Sequence, residues 1–263
     1  MKLSVALFQS SLHWKDVAGN LAFFSRLITQ EHGDADLIIL PEMFLTGFVV
    51  DPAAYAIEAD GEEIGQLKRL SSEKQAVICG SVILREGSHY YNRLLWIHPD
   101  GTVTHYDKRH LFSFGGESRR FVAGEKNLIE TINDFRVQPQ VCYDLRFPVW
   151  ARNSYREETG FGYDLLIYTA NWPASRAEVW KALLKARAIE NQCYVIGVNR
   201  VGTDGEGLTY SGDSMIINAR GEVVASAPPS QEHLLEYVLH REELDKFRKD
   251  FFIGNDWDSF SIN

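Results

Sequence analysis

The run Val141-Cys142-Tyr143-Asp144-Leu145-Arg146-Phe147-Pro148 decides how the rest of the chain is read. An apolar strand pattern ends on a cysteine, and Pro148 opens a pattern that reads as a helix to Tyr155. A cysteine between a strand end and a helix start lies near unpaired backbone N–H groups and the positive helix end, both of which favour thiolate over thiol. The N–H of Tyr143 is placed to face a developing oxyanion. Free cysteine is also among the most buried residue types, so burial statistics alone read Cys142 as inert core. Two other stretches reverse that reading, Pro41-Glu42 and Asp107-Lys108-Arg109-His110-Leu111-Phe112. Each sets a reactive group where an apolar run ends.

Outward from the cysteine, Leu128 to Ile132, a turn at Asn133-Asp134, and Phe135 to Val141 form the hairpin that delivers Cys142, with Pro139 suggesting an edge or a bulge. Leu37-Ile38-Ile39-Leu40 is a continuous apolar run of the kind that fills a strand buried on both faces, which puts Glu42 at a strand's carboxyl end. The flanking Met43, Phe44, Leu45 and Phe48 favour a partly buried carboxylate, and Gly47 permits the corner. Lys108 follows a hairpin made of Tyr91 to Ile97, Pro99-Asp100-Gly101 and Val103 to Tyr106. Base rates make a lysine a solvated surface side chain, but Leu111, Phe112, Phe114 and Gly115-Gly116-Glu117 suggest a loop folded over something. On its own, Glu117 reads as surface.

The remaining pattern alternates strands and helices, the signature of an α/β chain. Leu3, Val5 and Leu7 form an opening strand, and Val17, Leu21, Phe24, Leu27 and Ile28 recur at helical spacing up to Gly33. Ile64, Leu67 and Leu70 give a second helix, and Ala76 to Leu84 a strand in which Cys79 reads as core. Leu165 to Tyr168 is again fully apolar and ends in Thr169-Ala170-Asn171-Trp172-Pro173. Ser175-x-x-Glu178 matches a capping box ahead of a helix carrying Trp180, Leu183, Leu184 and Ala188. In that helix Arg187, Glu190 and Asn191 are either a surface pairing or a network bracing a site.

Cys193 to Val198 is a further strand, and Gly202, Gly205 and Gly207 mark a mobile loop. Asp213 to Ile217 with Val223 to Ser226 reads as a hairpin, Leu234 to Leu239 as the last strand and Glu242 to Lys249 as a short helix. The tail, 250–263, holds Phe251, Phe252, Trp257 and Phe260, too much apolar surface to leave in water, and is expected to cross to a partner subunit.

The chain has 263 residues, 45% of them hydrophobic and 24% charged, which fits one soluble domain spanning 1–263. A net charge of -9 without a basic, aromatic-interleaved stripe argues against nucleic acid. Three widely spaced cysteines, Cys79, Cys142 and Cys193, suggest neither a disulfide framework nor a zinc knuckle and point to a reducing compartment. Leu3 to Phe8 is too short for a signal peptide, and no run approaches a membrane span, so a cytoplasmic protein is expected.

There is no G-x-S-x-G elbow, no zinc spacing, and no G-x-G-x-x-G; Gly202 and Gly207 have P-loop spacing but are followed by Leu208-Thr209. Among eight histidines only His110 stands at a strand end, so a cysteine–histidine pair stays open beside the acid–base candidate Glu42. Cysteine and glutamate are mismatched as acid and base, direct transfer being uphill by roughly 6 kcal/mol from reference pKa values. Burial is expected to raise Glu42 while the Lys108 cation and a helix end lower Cys142, so the three make sense only as a unit close in space. The chemistry this predicts is thiolate attack on an amide carbonyl, with no metal and no cofactor.

Glutamate, lysine and cysteine in that order and those contexts resemble the nitrilase superfamily of carbon–nitrogen hydrolases. The match runs from the opening strand to Asp213-Ser214. The resemblance implies a four-layer α-β-β-α sandwich paired as a homodimer, with Glu42 as base, Lys108 as oxyanion lysine, Glu117 as a second, orienting glutamate and Cys142 as nucleophile. The Cys142 to Pro148 segment, with Asn171-Trp172-Pro173 and Arg187-Ala188-Ile189-Glu190-Asn191-Gln192, looks most like the omega-amidase branch, whose substrates are 2-oxoglutaramate and 2-oxosuccinamate.

Such small anionic amides call for a carboxylate-binding arginine, with Arg146, Arg119 and Arg176 as candidates, and for a pocket built from Tyr143, Asn171, Trp172 and Phe114. Gln140 departs from the glycine that many superfamily members have two residues before the cysteine. Deaminated-glutathione amidases and N-carbamoyl amidohydrolases are rival enzymes, and a catalytically silent binding protein of the same fold is the non-enzyme alternative.

Overall fold

In the computed structural model, which describes residues 1–30, 34–258 and 260–262, the apolar run Leu37–Ile39 is fully buried. Ile38 joins an outer cluster with Phe24 and Ile28, whereas Leu37 and Ile39 join an inner one with Val137 and Ile167. Side chains that alternate across a strand, with both faces covered, explain why the run has no polar member. Its N-terminal neighbour repeats the division, Leu3, Val5 and Leu7 facing inward and Ala6 and Phe8 outward.

The first sheet holds β1 (Lys2–Gln9), β2 (Leu37–Ile39), β3 (Ile57–Glu58), β4 (Val77–Glu86), β5 (His89–Ile97), β6 (Val103–Asp107) and, from the far end of the chain, β17 (His233–His240). Its order is β17-β1-β2-β4-β5-β6, with β3 beside β4. The second sheet holds β7 (Glu130–Ile132), β8 (Phe135–Val141), β11 (Leu165–Ala170), β12 (Tyr194–Asn199), β15 (Met215–Ile217) and β16 (Val223–Ser226), in the order β16-β15-β12-β11-β8-β7. The two are built alike: β1, β2 and β4 run parallel in one and β8, β11 and β12 in the other, with antiparallel strands on both flanks. Short hairpins β9 (Tyr155–Arg156) with β10 (Gly160–Phe161), and β13 (Val201–Thr203) with β14 (Thr209–Ser211), lie outside them.

Helices α1 (Val17–Gln30) and α2 (Glu62–Lys74) cover the outer face of the first sheet through Leu21, Phe24, Ile28, Ile64, Leu67 and Leu70. Burial of each such large side chain contributes about 1.5–3 kcal/mol. On the second sheet, α3 (Ala177–Asn191) packs with Trp180, Leu184 and Ala188, spaced so that they fall on one face, and Leu244 of α4 (Arg241–Asp250) joins the same core. The result is the α-β-β-α sandwich that the resemblance implies.

Several local expectations are corrected. The helix at Cys142 is one 3-10 turn, Cys142–Arg146, and Pro148 ends it rather than opening another. Proline disfavours the α region for the residue before it, and Phe147 sits at φ -115°, ψ 86°. Beyond it Asn153 Oδ1 accepts from the N–H groups of Ser154 and Tyr163, the first a donor that a helix would use. The capping box at Ser175 does not form, since Ser175 lies inside a 3-10 turn, Ala174–Arg176, and α3 starts without a side-chain cap.

The glycine-rich stretch from Gly202 is the β13–β14 hairpin, fixed at its turn by Asp204, whose carboxylate accepts from the N–H groups of Glu206 and Leu208. Pro139 lies in an interior strand opposite Ile167, but β7 starts at Glu130, paired to Val137, so that Pro139 has a paired strand on one side only. Of the tail, Phe252 and Trp257 pack on Tyr155 and Phe161 of the same chain, centroid distances 4.7 and 5.7 Å, while Phe251, Phe260 and part of Phe252 are exposed. Gly33, read as a helix end, and Ser259 and Asn263 of the tail lie outside the described residues. Among the described residues no helix is long and apolar enough to cross a membrane.

Candidate active site

The carboxyl ends of the parallel strands of both sheets meet at one place, the end of an α/β sheet where ligands generally bind. Glu42 lies just past β2, Lys108 directly past β6, Cys142 directly past β8 and Asn171 directly past β11. Cys142 has φ +45° and Met43, beside Glu42, φ +43°. A side chain in that region costs about 1–3 kcal/mol and persists where its surroundings over-determine it. Around Met43 the constraint is visible, its N–H bonding Ser81 Oγ at 2.9 Å.

Glu42, Lys108, Glu117 and Cys142 come together in one cluster. Lys108 Nζ donates to Glu42 Oε1 at 2.8 Å and to Glu117 Oε2 at 2.9 Å. Asn92 Nδ2 donates to the same two carboxylates, 2.9 Å to each, so the three charged groups cannot rotate independently. The other Glu42 oxygen accepts the Asn171 N–H at 2.8 Å, and Glu117 Oε2 accepts the Phe112 N–H at 2.6 Å. The Cys142 thiol lies beside the Glu42 side chain and near the Asn171 backbone N–H. Glu42 and Glu117 have no exposed surface, and Cys142 alone of the four has an appreciable fraction, 8%.

Burial is the largest influence on each shifted group. It would lower Lys108, but the adjoining Glu117 and Glu42 carboxylates outweigh it and hold the ammonium above the ordinary lysine range. Glu117 is raised by burial and by Glu42, against the pull of Lys108. Cys142 is pushed well up by burial and by the Glu42 carboxylate, with Lys108 opposing. The expected lowering of Cys142 is therefore corrected: burial and the Glu42 carboxylate favour the thiol over the thiolate. Burial and a neighbouring carboxylate both disfavour a second negative charge.

A cavity of about 130 Å³ opens on Cys142, Lys108 and Asn171. Tyr143 and Trp172 line it, as do Arg146 and Arg176. The Arg146 guanidinium lies 5.0 Å over the Trp172 ring and that of Arg176 5.7 Å over Phe112. Among the described residues neither pairs with a carboxylate, whereas Arg119 is exposed and takes no part in the lining. Phe114 is corrected: it is 90% exposed and lies off the cavity, and Phe112, two residues earlier, takes the lining position. The opposite wall, from Asp204, Leu208 and Tyr210 of the β13–β14 hairpin, was not anticipated. Among the described residues no three His, Cys, Asp or Glu side chains converge to hold a metal ion.

The profile of the family described as carbon-nitrogen hydrolase matches residues 4–249. The chain belongs to the carbon–nitrogen hydrolase family. Among its relatives, this hydrolase is 45% identical over 260 residues to the omega-amidase YafV of Yersinia enterocolitica, covering 99% of this chain and 98% of that protein. It is 31% identical to the 2-oxoglutaramate amidase of Bacillus subtilis (strain 168), covering 97% and 98% of the two. Among solved structures, XC1258 of Xanthomonas campestris, a CN-hydrolase superfamily protein crystallised with an arsenic adduct in its active site, superposes with a TM-score of 0.97 at 42% identity over the whole of both chains.

In this carbon–nitrogen hydrolase the side chains that support the charged cluster escaped the sequence reading. Asn92 is a fully buried polar residue in β5, with nothing in its strand pattern to mark it. Asn199 closes β12 by accepting the Trp172 N–H at 2.8 Å and donating to the Trp172 carbonyl at 3.0 Å, which fixes the Asn171-Trp172 corner. Arg187 braces the Cys142 turn, donating to the Leu145 carbonyl at 2.6 Å, so the bracing alternative for that helix holds. His110 is turned away from cysteine chemistry, its Nδ1 lying 2.8 Å from Asp144 Oδ1. Gln140 is fully buried behind Cys142, opposite Tyr168 of β11.

Proposed function

We propose that the chain is an omega-amidase that hydrolyses the terminal amide of 2-oxo acid monoamides, 2-oxoglutaramate and 2-oxosuccinamate, to the 2-oxo dicarboxylate and ammonia. The observation that carries the reading is the Cys142 thiol beside Glu42 and the Lys108 ammonium, at a small cavity lined by two arginines that form no ion pair among the described residues. Full-length similarity to proteins named omega-amidase and 2-oxoglutaramate amidase supports the substrate class.

In this reading Glu42 takes the thiol proton as sulfur attacks the amide carbonyl. The charge that builds on the carbonyl oxygen meets Lys108 Nζ and the Tyr143 N–H, donors of a kind typically contributing about 3–4 kcal/mol each. Because the resting thiol is disfavoured as thiolate, proton transfer accompanies attack instead of preceding it. Glu42 then gives the proton to the departing nitrogen, which leaves as ammonia. Water deprotonated by the same carboxylate attacks the thioester, and the proton returns to sulfur. Glu117 holds Lys108 in place, and Arg146 and Arg176 receive the 2-oxo acid end in the planar, bidentate manner that suits carboxylates. Residues 1–263 act as one domain, and a homodimer in the cytoplasm completes the proposal.

Ammonia release from 2-oxoglutaramate and from deaminated glutathione, by wild type and Cys142→Ala, tests it. Release from 2-oxoglutaramate that disappears in the variant is the expected result. Preference for deaminated glutathione would move the substrate, and activity in the variant would overturn the nucleophile. Sedimentation of the purified protein tests the dimer.

A further inference from the structure

The charged cluster needs Lys108 and Cys142 at a fixed spacing, yet they come from different sheets, and one further side chain touches both of their segments. Asp144 is fully buried. Its Oδ1 accepts the backbone N–H of His110 at 2.8 Å and lies 2.8 Å from His110 Nδ1; its Oδ2 accepts the Tyr106 hydroxyl at 2.8 Å and the Val141 N–H at 3.1 Å. A carboxylate offers about four acceptor sites. All four are taken, and since a carboxylate only accepts, His110 carries its proton on Nδ1.

The placement of the four donors is informative. Tyr106 and His110 stand two residues before and two after Lys108, while Val141 and Asp144 itself bracket Cys142. We propose that Asp144 is a positioning residue that sets the spacing between the Lys108 ammonium and the Cys142 thiol by gripping each segment on both sides. The grip is stiffened from outside. Tyr106 Oη accepts from Trp150 Nε1 at 2.9 Å and from the Arg109 N–H at 3.2 Å, and the His110 ring stacks on Phe147 at 3.8 Å, 7° from parallel. Phe147 follows the same nucleophile turn, so His110 is held to that turn by its ring face as well as by Nδ1.

This inference rests on the reading that Lys108 and Cys142 carry the reaction, and the experiment separates the two. Asp144→Asn keeps the shape but leaves one acceptor oxygen and turns two lone pairs into N–H donors facing other donors. The expected result is a loss of about 100-fold in kcat, the scale of an ångström-sized misplacement, with KM within threefold of wild type. Should Asp144→Asn not fold, the His110 pair decides. His110→Asn, whose Nδ2 can stand where Nδ1 donates, is expected to recover at least tenfold in kcat over His110→Ala. Wild-type kcat in Asp144→Asn, or His110→Asn no better than His110→Ala, overturns the proposal. Activity in Cys142→Ala would instead overturn the reading beneath it.

Discussion

An ammonium bonded to two carboxylates with no exposed surface on either is a closed electrostatic unit, and among the described residues Lys108 is its only cation. Lys108→Met keeps the bulk and removes the charge, leaving Glu42 and Glu117 against each other. Breaking a buried pair in this way costs about 3–5 kcal/mol. Urea unfolding of the variant is expected to show that loss, and ammonia release, on the proposed oxyanion role of Lys108, a fall of at least about 100-fold. A variant as stable as wild type would mean that the carboxylates are not both charged. Glu42 and Cys142 stood out because each follows an apolar run, where a polar side chain has no packing reason to be, and Lys108 because an apolar loop with Leu111 and Phe112 follows it. Glu117 was legible only by resemblance, as its segment is glycine-rich and without period. Phe114 was misassigned because nothing in Phe112-Ser113-Phe114 says which ring a 3-10 turn will face inward. Asn92 and Asp144 stayed hidden because a buried polar side chain bonded to partners far along the chain leaves no signature in its own strand or turn.

At the scale of elements, α3 seats on β12 through a missing side chain. A Cβ at Gly197 would lie 2.5 Å from Leu184 Cδ1 and 2.7 Å from Trp180 Cζ2. Gly197→Ala is expected to destabilise by about 1–3 kcal/mol, the range for overpacking. In a Leu184→Ala background the added cost should fall, a coupling that a double-mutant cycle of urea midpoints measures. Full additivity would place the helix elsewhere. The long elements were read correctly because each is covered on known faces, giving period two or an unbroken run for strands and spacings of three and four for helices. Elements set by side-chain capture of the backbone were not. Asn153 captures backbone N–H groups in the segment after Pro148, and Asp204 those at the turn of the β13–β14 hairpin. Strands of two residues, such as β3 and β9, carry no period at all.

For the molecule as a whole, three thiols inside one core make stability sensitive to alkali. Burial raises Cys79, Cys142 and Cys193 above the ordinary thiol range. Above about pH 8.5 the unfolded chain loses those protons while the folded one keeps them. The unfolded state then binds fewer protons, and stability falls as pH rises, by about 1.4 kcal/mol per pH unit for each thiol. Urea midpoints between pH 8 and about 9.5, below the tyrosine and lysine range, are expected to drop, and less steeply in Cys193→Ala. A flat profile would mean that the thiols reach solvent in the folded state. The division of labour between the sheets has a different use. Cutting the chain near Glu125 would leave Glu42, Lys108 and Glu117 on one fragment and Cys142 on the other, while β17, paired to β1 along its whole length from Lys2 to Gln9, belongs to the second fragment. That strand would be a ready-made adhesive for its complement, so two inert polypeptides would regain turnover only on meeting, and ammonia would become the readout of their encounter.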